Sequence, residues 1–68
     1  MPSLAEKFAV NLKSERVRKK LSQEALARKA NLSVSYVSML ERGQRTPPLD
    51  TLEILAKALS TSAVGLLQ

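Results

Sequence analysis

The sequence predicts an all-α fold of five helices, and three features of its 68 residues indicate this. Apolar residues recur three and four positions apart, which places them on one face of a helix. Serine, a favoured residue at the position just before a helix, precedes several of these segments. No segment alternates apolar and polar residues as a half-buried strand does. We therefore expect one domain over 1–68, with helices over about 4–19, 23–30, 34–42, 49–59 and 63–67.

The first predicted helix carries an apolar stripe and ends in basic residues. We expect Phe8, Leu12 and Val17 to point inward, with Phe8, the only phenylalanine, as the anchor. Arginines and lysines crowd its last turn, where positive charge interacts favourably with the helix dipole.

Residues 22–43 predict two short helices joined by a tight turn. Ser22 and Ser33 are favourable N-caps, and Asn31 tolerates the left-handed conformation that a chain reversal needs. Gly43 is a typical residue at a helix C-terminus. Two helices this short cannot each bury a core face alone, so we interpret the segment as a helix-turn-helix. Five side chains are expected to point inward: Leu26, Ala30, Leu32, Val37 and Leu40. Five others are expected to remain outside: Gln23, Val34, Ser35, Tyr36 and Met39.

The last two predicted helices follow a polar loop that ends in two prolines. Leu52, Leu55, Ala56 and Leu59 have the spacing of one buried helical face. The final helix, over 63–67, carries Val64 and Leu67 but is too short to hide both side chains. We therefore predict that Val64 and Leu67 lie in a homodimer interface, the alternative being that they cap the core of a monomer.

Charge is unevenly distributed along the chain. The net charge is +5, but residues 1–45 hold ten basic residues and four acids, a net charge of +6. Residues 46–68 hold one lysine and two acids, a net charge of −1. A positive field on the first three helices is typical of a protein that binds a polyanion, although a solvated basic surface is the simpler alternative.

Composition argues against several other classes of protein. Without Cys or His, the chain lacks disulfides, the usual zinc ligands and a nucleophile–base pair, and it has no Gly-rich phosphate loop. We expect neither an enzyme nor a bound cofactor or metal. No apolar run approaches the ~20 residues of a membrane span, and the first residues lack a signal-peptide core. A cytoplasmic protein without a membrane partner is therefore expected, and no small-molecule ligand is expected either.

Three ordered motifs carry a resemblance to a known family. They are S-Q-E-x-L-A from Ser22, S-x-x-Y-V-S-x-L-E-x-G from Ser33, and P-x-L-x-T-L-x-x-L-A-x-A-L from Pro47. In this order and spacing they resemble the Cro/repressor-type, lambda-repressor-like helix-turn-helix family of DNA-binding regulators. The resemblance covers the chain from about Phe8 to Leu67. It implies five helices, a third helix that reads DNA, and a homodimer on a near-palindromic operator.

The resemblance also implies roles for individual residues. Val34, Ser35 and Met39 match the family's base-reading positions, with Tyr36 at their edge. Arg16 and Glu41 match positions that often form an ion pair between the first and third helices. Family members commonly carry glycine at the ends of helices one, two and four, where this chain has Lys20, Asn31 and Ser60.

A second group of residues is expected to contact DNA phosphates. Gln23 opens the second helix, where its backbone amide and carboxamide can bind one phosphate, aided by the helix dipole. Ser38 is a small residue that allows close approach and can donate to a phosphate. Arg42, Gln44 and Arg45 follow the third helix and can reach the flanking backbone. A solvent-exposed side chain with no partner is the alternative for Gln23 and for the three residues after the third helix.

Two classes of function follow from these observations. The favoured one is a dimeric transcriptional regulator that binds double-stranded DNA. The alternative is a protein-interaction module of the same fold, which apolar Val34 and Met39 on the reading face leave open.

Overall fold

The computed structural model describes residues 2–68 and, over that range, contains helices and no strand. The helices are α1 (Leu4–Arg18), α2 (Gln23–Ala30), α3 (Val34–Glu41), α4 (Leu49–Ala58) and α5 (Ala63–Leu67). The predicted all-α class is confirmed. The helices α1, α3 and α4 end one residue earlier than expected, because Lys19, Arg42 and Leu59 are C-cap residues whose ψ angles are close to zero.

Four of the five helices begin at a serine whose hydroxyl accepts a hydrogen bond from a backbone N–H. Ser3, Ser22, Ser33 and Ser62 each accept from the amide three residues ahead, at 2.9–3.1 Å. At Ser3 the cap is reciprocal, because Glu6 Oε1 accepts a 2.9 Å bond from the Ser3 amide. These caps satisfy donors that have no partner inside the helix, which fixes where each helix starts.

Four helices also end alike, with one residue in the left-handed region. These residues are Lys20, Asn31, Gly43 and Ser60, at φ 59°, 58°, 74° and 55°. At each end, two backbone N–H groups return to carbonyls of the last turn, so that the terminal acceptors are satisfied. Only one of the four is glycine. The other three ends therefore adopt the left-handed turn that glycine commonly forms in the family, but with a residue that has a side chain.

The core lies where all five helices meet. Helix α1 packs on α3 and α5, α2 packs on α3 and α4, and α4 packs on α5. The buried cluster comprises Phe8, Leu12, Leu26, Ala27, Ala30, Val37, Leu40, Leu52, Leu55, Ala56, Leu59 and Leu66. Asn11 adds a polar link, because its Nδ2 donates to the Leu66 carbonyl at 3.0 Å and so ties α5 to α1.

One predicted core residue of α1 is exposed. Val17 was expected to continue the stripe of Phe8 and Leu12, yet 57% of it is exposed. It lies five residues after Leu12, which places it about 140° around the helix, whereas Arg16 lies four residues after Leu12 on nearly the same face. The prediction for Val17 is wrong, and the inward position at this level of α1 belongs to Arg16.

Within residues 2–68, none of the helices combines the length and the apolar character needed to cross a lipid bilayer.

Candidate nucleic-acid interface

The turn between α2 and α3 sets the angle at which α3 is presented. Asn31 ends α2 in the left-handed conformation, at φ 58° and ψ 44°. The Leu32 N–H then donates to the Ala27 carbonyl at 2.8 Å, and the Leu32 side chain packs against the core. Ser33 follows at once as the cap of α3. The reversal takes only three residues, and α2 packs directly against α3.

Helix α3 has an inner and an outer side. Val37 and Leu40 are fully buried, while 41% of Val34 is exposed and Ser35 is exposed as well. Ser38 and Met39 are half-buried, so they border the outer side. The outer side of α3 therefore combines an apolar and a hydroxyl group at its first turn with further small or flexible side chains beyond.

Tyr36 differs from the expectation that it lies outside. It is half-buried and packs against the core cluster. It lies one residue from Val37, about 100° around the helix, so that its ring can cover the core edge. Because of this packing, Tyr36 lies at the edge of the outer side of α3 and not in its centre.

An ion pair joins α1 to the last residue of α3. Arg16 Nε donates to Glu41 Oε2 at 2.6 Å, and Arg16 Nη2 donates to Glu41 Oε1 at 3.0 Å. The side chains of Arg16 and Glu41 are 12% and 3% exposed, respectively. Hydrogen bonding to Glu41 raises the pKa of Arg16, while partial burial opposes this rise. The guanidinium therefore stays charged, and the pair is the one that the resemblance implies.

Gln23 is not the free side chain that the sequence suggested. It is half-buried, and its Nε2 donates to Glu41 Oε1 at 3.0 Å. The expectation that Gln23 lies outside is therefore only partly right, because one of its two carboxamide hydrogens is bound within the protein. No local pattern in the sequence indicates this bond, since residues 23 and 41 are brought together only by the packing of α2 on α3.

The segment after α3 carries exposed polar and basic side chains. Gly43 turns the chain at φ 74°, and the Gln44 N–H donates to the Met39 carbonyl at 2.9 Å. Arg42, Gln44 and Arg45 are all exposed. The charge of Glu41, the last residue of α3, is neutralised by Arg16. Arg42 and Arg45, which follow α3, therefore have no unpaired carboxylate of α3 beside them.

Most of the basic residues in the first three helices and the following loop reach solvent. Nine side chains are exposed, namely Lys7, Lys13, Arg18, Lys19, Lys20, Arg28, Lys29, Arg42 and Arg45. Of these, Arg18 donates to Glu15 at 2.8 and 3.1 Å. The remaining eight are free to attract a polyanion.

The two residues predicted for a homodimer interface have different environments. Val64 is 61% exposed on α5, as an interface residue must be in a free protomer. Leu67 is half-buried and packs against the core cluster. Val64 is therefore accessible to a second protomer, whereas most of the Leu67 side chain packs in the core of its own chain.

A helix-turn-helix family model matches residues 12–66. The chain belongs to the helix-turn-helix family. This match includes the whole α2–turn–α3 unit, and it also includes the second half of α1, all of α4 and most of α5. The predicted resemblance is confirmed.

Individual helix-turn-helix proteins are similar over most of the chain. Control protein C.SmaI of Serratia marcescens is 45% identical over 64 residues, covering 94% of this chain and 76% of that protein. The restriction-modification controller protein C.AhdI of Aeromonas hydrophila superposes with a TM-score of 0.87 at 42% identity, covering 91% of this chain and 94% of C.AhdI.

A second similar structure contains DNA. It is the restriction-modification controller protein C.Esp1396I, described as a tetramer in complex with its natural 35 base-pair operator. It superposes with a TM-score of 0.86 at 35% identity, covering 97% of this chain and 87% of C.Esp1396I.

Proposed function

We propose that this helix-turn-helix transcriptional regulator binds double-stranded DNA as a homodimer, with α3 in the major groove of a near-palindromic operator. The observation that carries the proposal is the outer side of α3, where Val34 and Ser35 are exposed and the cations Arg42 and Arg45 follow directly. The C.Esp1396I complex with its operator supports this function by analogy.

The proposed reading face is unusually poor in hydrogen-bond donors. Val34 and Met39 cannot hydrogen-bond a base edge, and Ser35 is the exposed hydroxyl between them in sequence. The thymine C5-methyl is the apolar group that the major groove offers. We therefore assign thymine methyls to Val34 and Met39, and polar base contacts to Ser35 with Tyr36 at the rim. With few polar readers, part of the specificity should come from DNA shape.

Phosphate contacts should hold α3 in this position. Arg42, Gln44 and Arg45 are exposed just beyond α3 and are proposed to bind the backbone on one side of the groove. Gln23 and Ser38, both half-buried, are proposed to bind it close to the protein surface. These contacts carry affinity and fix the register, but they do not identify the sequence.

Dimerisation through α5 gives the two copies of α3 a fixed spacing. We propose Val64 as the centre of the contact, with the edge of Leu67 beside it. A two-fold arrangement places the recognition helices ~34 Å apart, one turn of B-DNA. This spacing makes a near-palindromic operator the matching target.

The proposal is tested by selecting duplexes from a random-sequence library with the wild-type protein and measuring their affinity against unselected duplexes. Specific recognition predicts a two-fold symmetric consensus and at least ~1,000-fold discrimination. Ser35→Glu, which adds an acid to the outer side of α3, should abolish binding. Ser14→Glu adds the same charge at an exposed serine of α1 and serves as the matched control. Recovery of no consensus would favour the protein-interaction alternative.

A further inference from the structure

The Glu41 carboxylate connects three helices. Its Oε2 accepts from Arg16 Nε of α1, and its Oε1 accepts both from Arg16 Nη2 and from Gln23 Nε2 of α2. Glu41 itself is the last residue of α3. Arg16 Nη1 completes the network by donating to the Leu21 carbonyl at 2.8 Å, in the linker between α1 and α2. The network therefore fixes the start of α2 relative to the end of α3.

Only part of the Gln23 carboxamide is used in this network. Nε2 carries two hydrogens, and the bond to Glu41 occupies one of them. The second hydrogen has no partner among residues 2–68, while the bond to Glu41 limits rotation about the last side-chain torsions. Gln23 is thus held in one orientation before any ligand arrives.

We propose that Glu41 is a positioning residue for DNA binding. It holds the Gln23 carboxamide so that the second N–H is already directed at a DNA phosphate, and the ordering of this side chain is complete before DNA binds. This inference rests on the proposed function, because it deepens the role of Gln23 in that function. Preorganised contacts of this kind strengthen binding by reducing the entropy lost on association.

The charge of Arg16 makes this arrangement compatible with DNA. A carboxylate near a phosphate would repel it, but the two hydrogen bonds from the guanidinium neutralise Glu41. A neutral acceptor at position 41 cannot replace the carboxylate, because a single carboxamide oxygen cannot satisfy both Arg16 and Gln23 in the same geometry. Glu41 therefore joins the ion pair to the proposed phosphate contact.

The decisive experiment is a double-mutant cycle of Glu41→Gln and Gln23→Ala, measured on the duplex that the wild-type protein selects. Measurements are made at a temperature at which circular dichroism shows every variant folded. If Glu41 acts through Gln23, Glu41→Gln weakens affinity by about 10-fold in the wild-type background and by less than about two-fold in the Gln23→Ala background. If Glu41→Gln weakens DNA affinity equally in both backgrounds, Glu41 has only a structural role and the inference is overturned.

Two further results belong to the same cycle. Because Gln23 is uncharged, Gln23→Ala should not change the slope of affinity against salt concentration. The matched control is Glu15→Gln, which removes a carboxylate from the exposed Glu15–Arg18 pair and should leave affinity unchanged. If the wild-type protein selects no duplex, the proposed function itself fails; if it selects one and the cycle is additive, only the role of Glu41 fails.

A second measurement needs no substitution and therefore does not depend on the folding of Glu41→Gln. In the DNA-free wild-type protein, the side-chain Nε2 of Gln23 should have a much higher NMR order parameter than that of Gln44. Gln44 is exposed, and its carboxamide makes no hydrogen bond within residues 2–68, so its order parameter should fall below ~0.6. Equal mobility of the two carboxamides would contradict the proposed preorganisation.

Discussion

Lys20 at the end of α1 and Ser60 at the end of α4 share a left-handed backbone, with φ angles of 59° and 55°. Each donates its N–H to the carbonyl three residues earlier, at 2.9 and 3.1 Å. The following residues, Leu21 and Thr61, then donate to the carbonyls of Arg16 and Ala56. The same cap therefore forms at both ends around a residue with a Cβ, and the hydrogen bonds offset the strain of that conformation.

Ser60→Gly should stabilise the protein. Glycine removes the left-handed strain of about 1–2 kcal/mol but loses more backbone entropy on folding, which leaves a net gain of roughly 0.5–1 kcal/mol. Urea unfolding measures the difference. Ser60→Ala is the control, because alanine keeps the Cβ and should bring no gain. A Ser60→Gly variant of unchanged or reduced stability would show that the cap is not strained.

The Arg16–Glu41 pair should be costly to break from one side. Arg16→Met leaves the Glu41 carboxylate almost fully buried without its counter-charge. We expect a loss of about 3 kcal/mol, the lower end of the range for buried pairs, because Arg16 keeps some contact with solvent. Urea unfolding of Arg16→Met and of the double variant Arg16→Met/Glu41→Leu measures this, and the double variant should recover most of the loss. Arg18→Met, in the exposed pair with Glu15, should leave the midpoint unchanged.

DNA affinity should depend steeply on salt concentration. With ~4–6 phosphates per protomer neutralised by exposed Lys and Arg side chains, at about −0.9 each, the logarithmic slope of a dimer is roughly −7 to −11. Arg42→Gln removes one charged contact per protomer and should reduce the magnitude of that slope by about 2. Lys57→Gln, at an exposed lysine of α4, is the control and should leave the slope unchanged. A nearly flat salt dependence of the wild-type protein would refute the electrostatic account.

Features that depend on the local spacing of residues could be predicted from the sequence. Features that depend on the packing of distant residues could not. Helix starts were predictable because Ser22 and Ser33 act on amides three residues away. Val17 was misplaced because an apolar residue was assumed to point inward, whereas helix geometry turns it outward. The bond between Gln23 and Glu41 joins residues 18 positions apart, and no local pattern predicts such a contact.

Val64→Glu should produce monomers if α5 forms the dimer contact. Sedimentation at several concentrations tests this, with circular dichroism to verify that helicity is retained. Val10→Glu is a matched control, because Val10 is 64% exposed on α1 and Val64 is 61% exposed on α5. Leu67→Glu is a poorer test, since the packing of Leu67 against the core makes destabilisation of the fold a competing effect. A wild-type protein that stays monomeric at high concentration would contradict the proposed dimer.

The most direct test of the reading role of α3 is a scan that replaces each operator thymine with uracil. This change removes only the C5-methyl, which lies in the major groove. We predict that the wild-type protein loses several-fold affinity at one or more thymines, and that Val34→Ala loses no further affinity at the thymine that Val34 contacts. If no thymine position is sensitive in the wild-type protein, or if Val34→Ala gives the wild-type profile throughout, Val34 of α3 does not read the major groove as proposed.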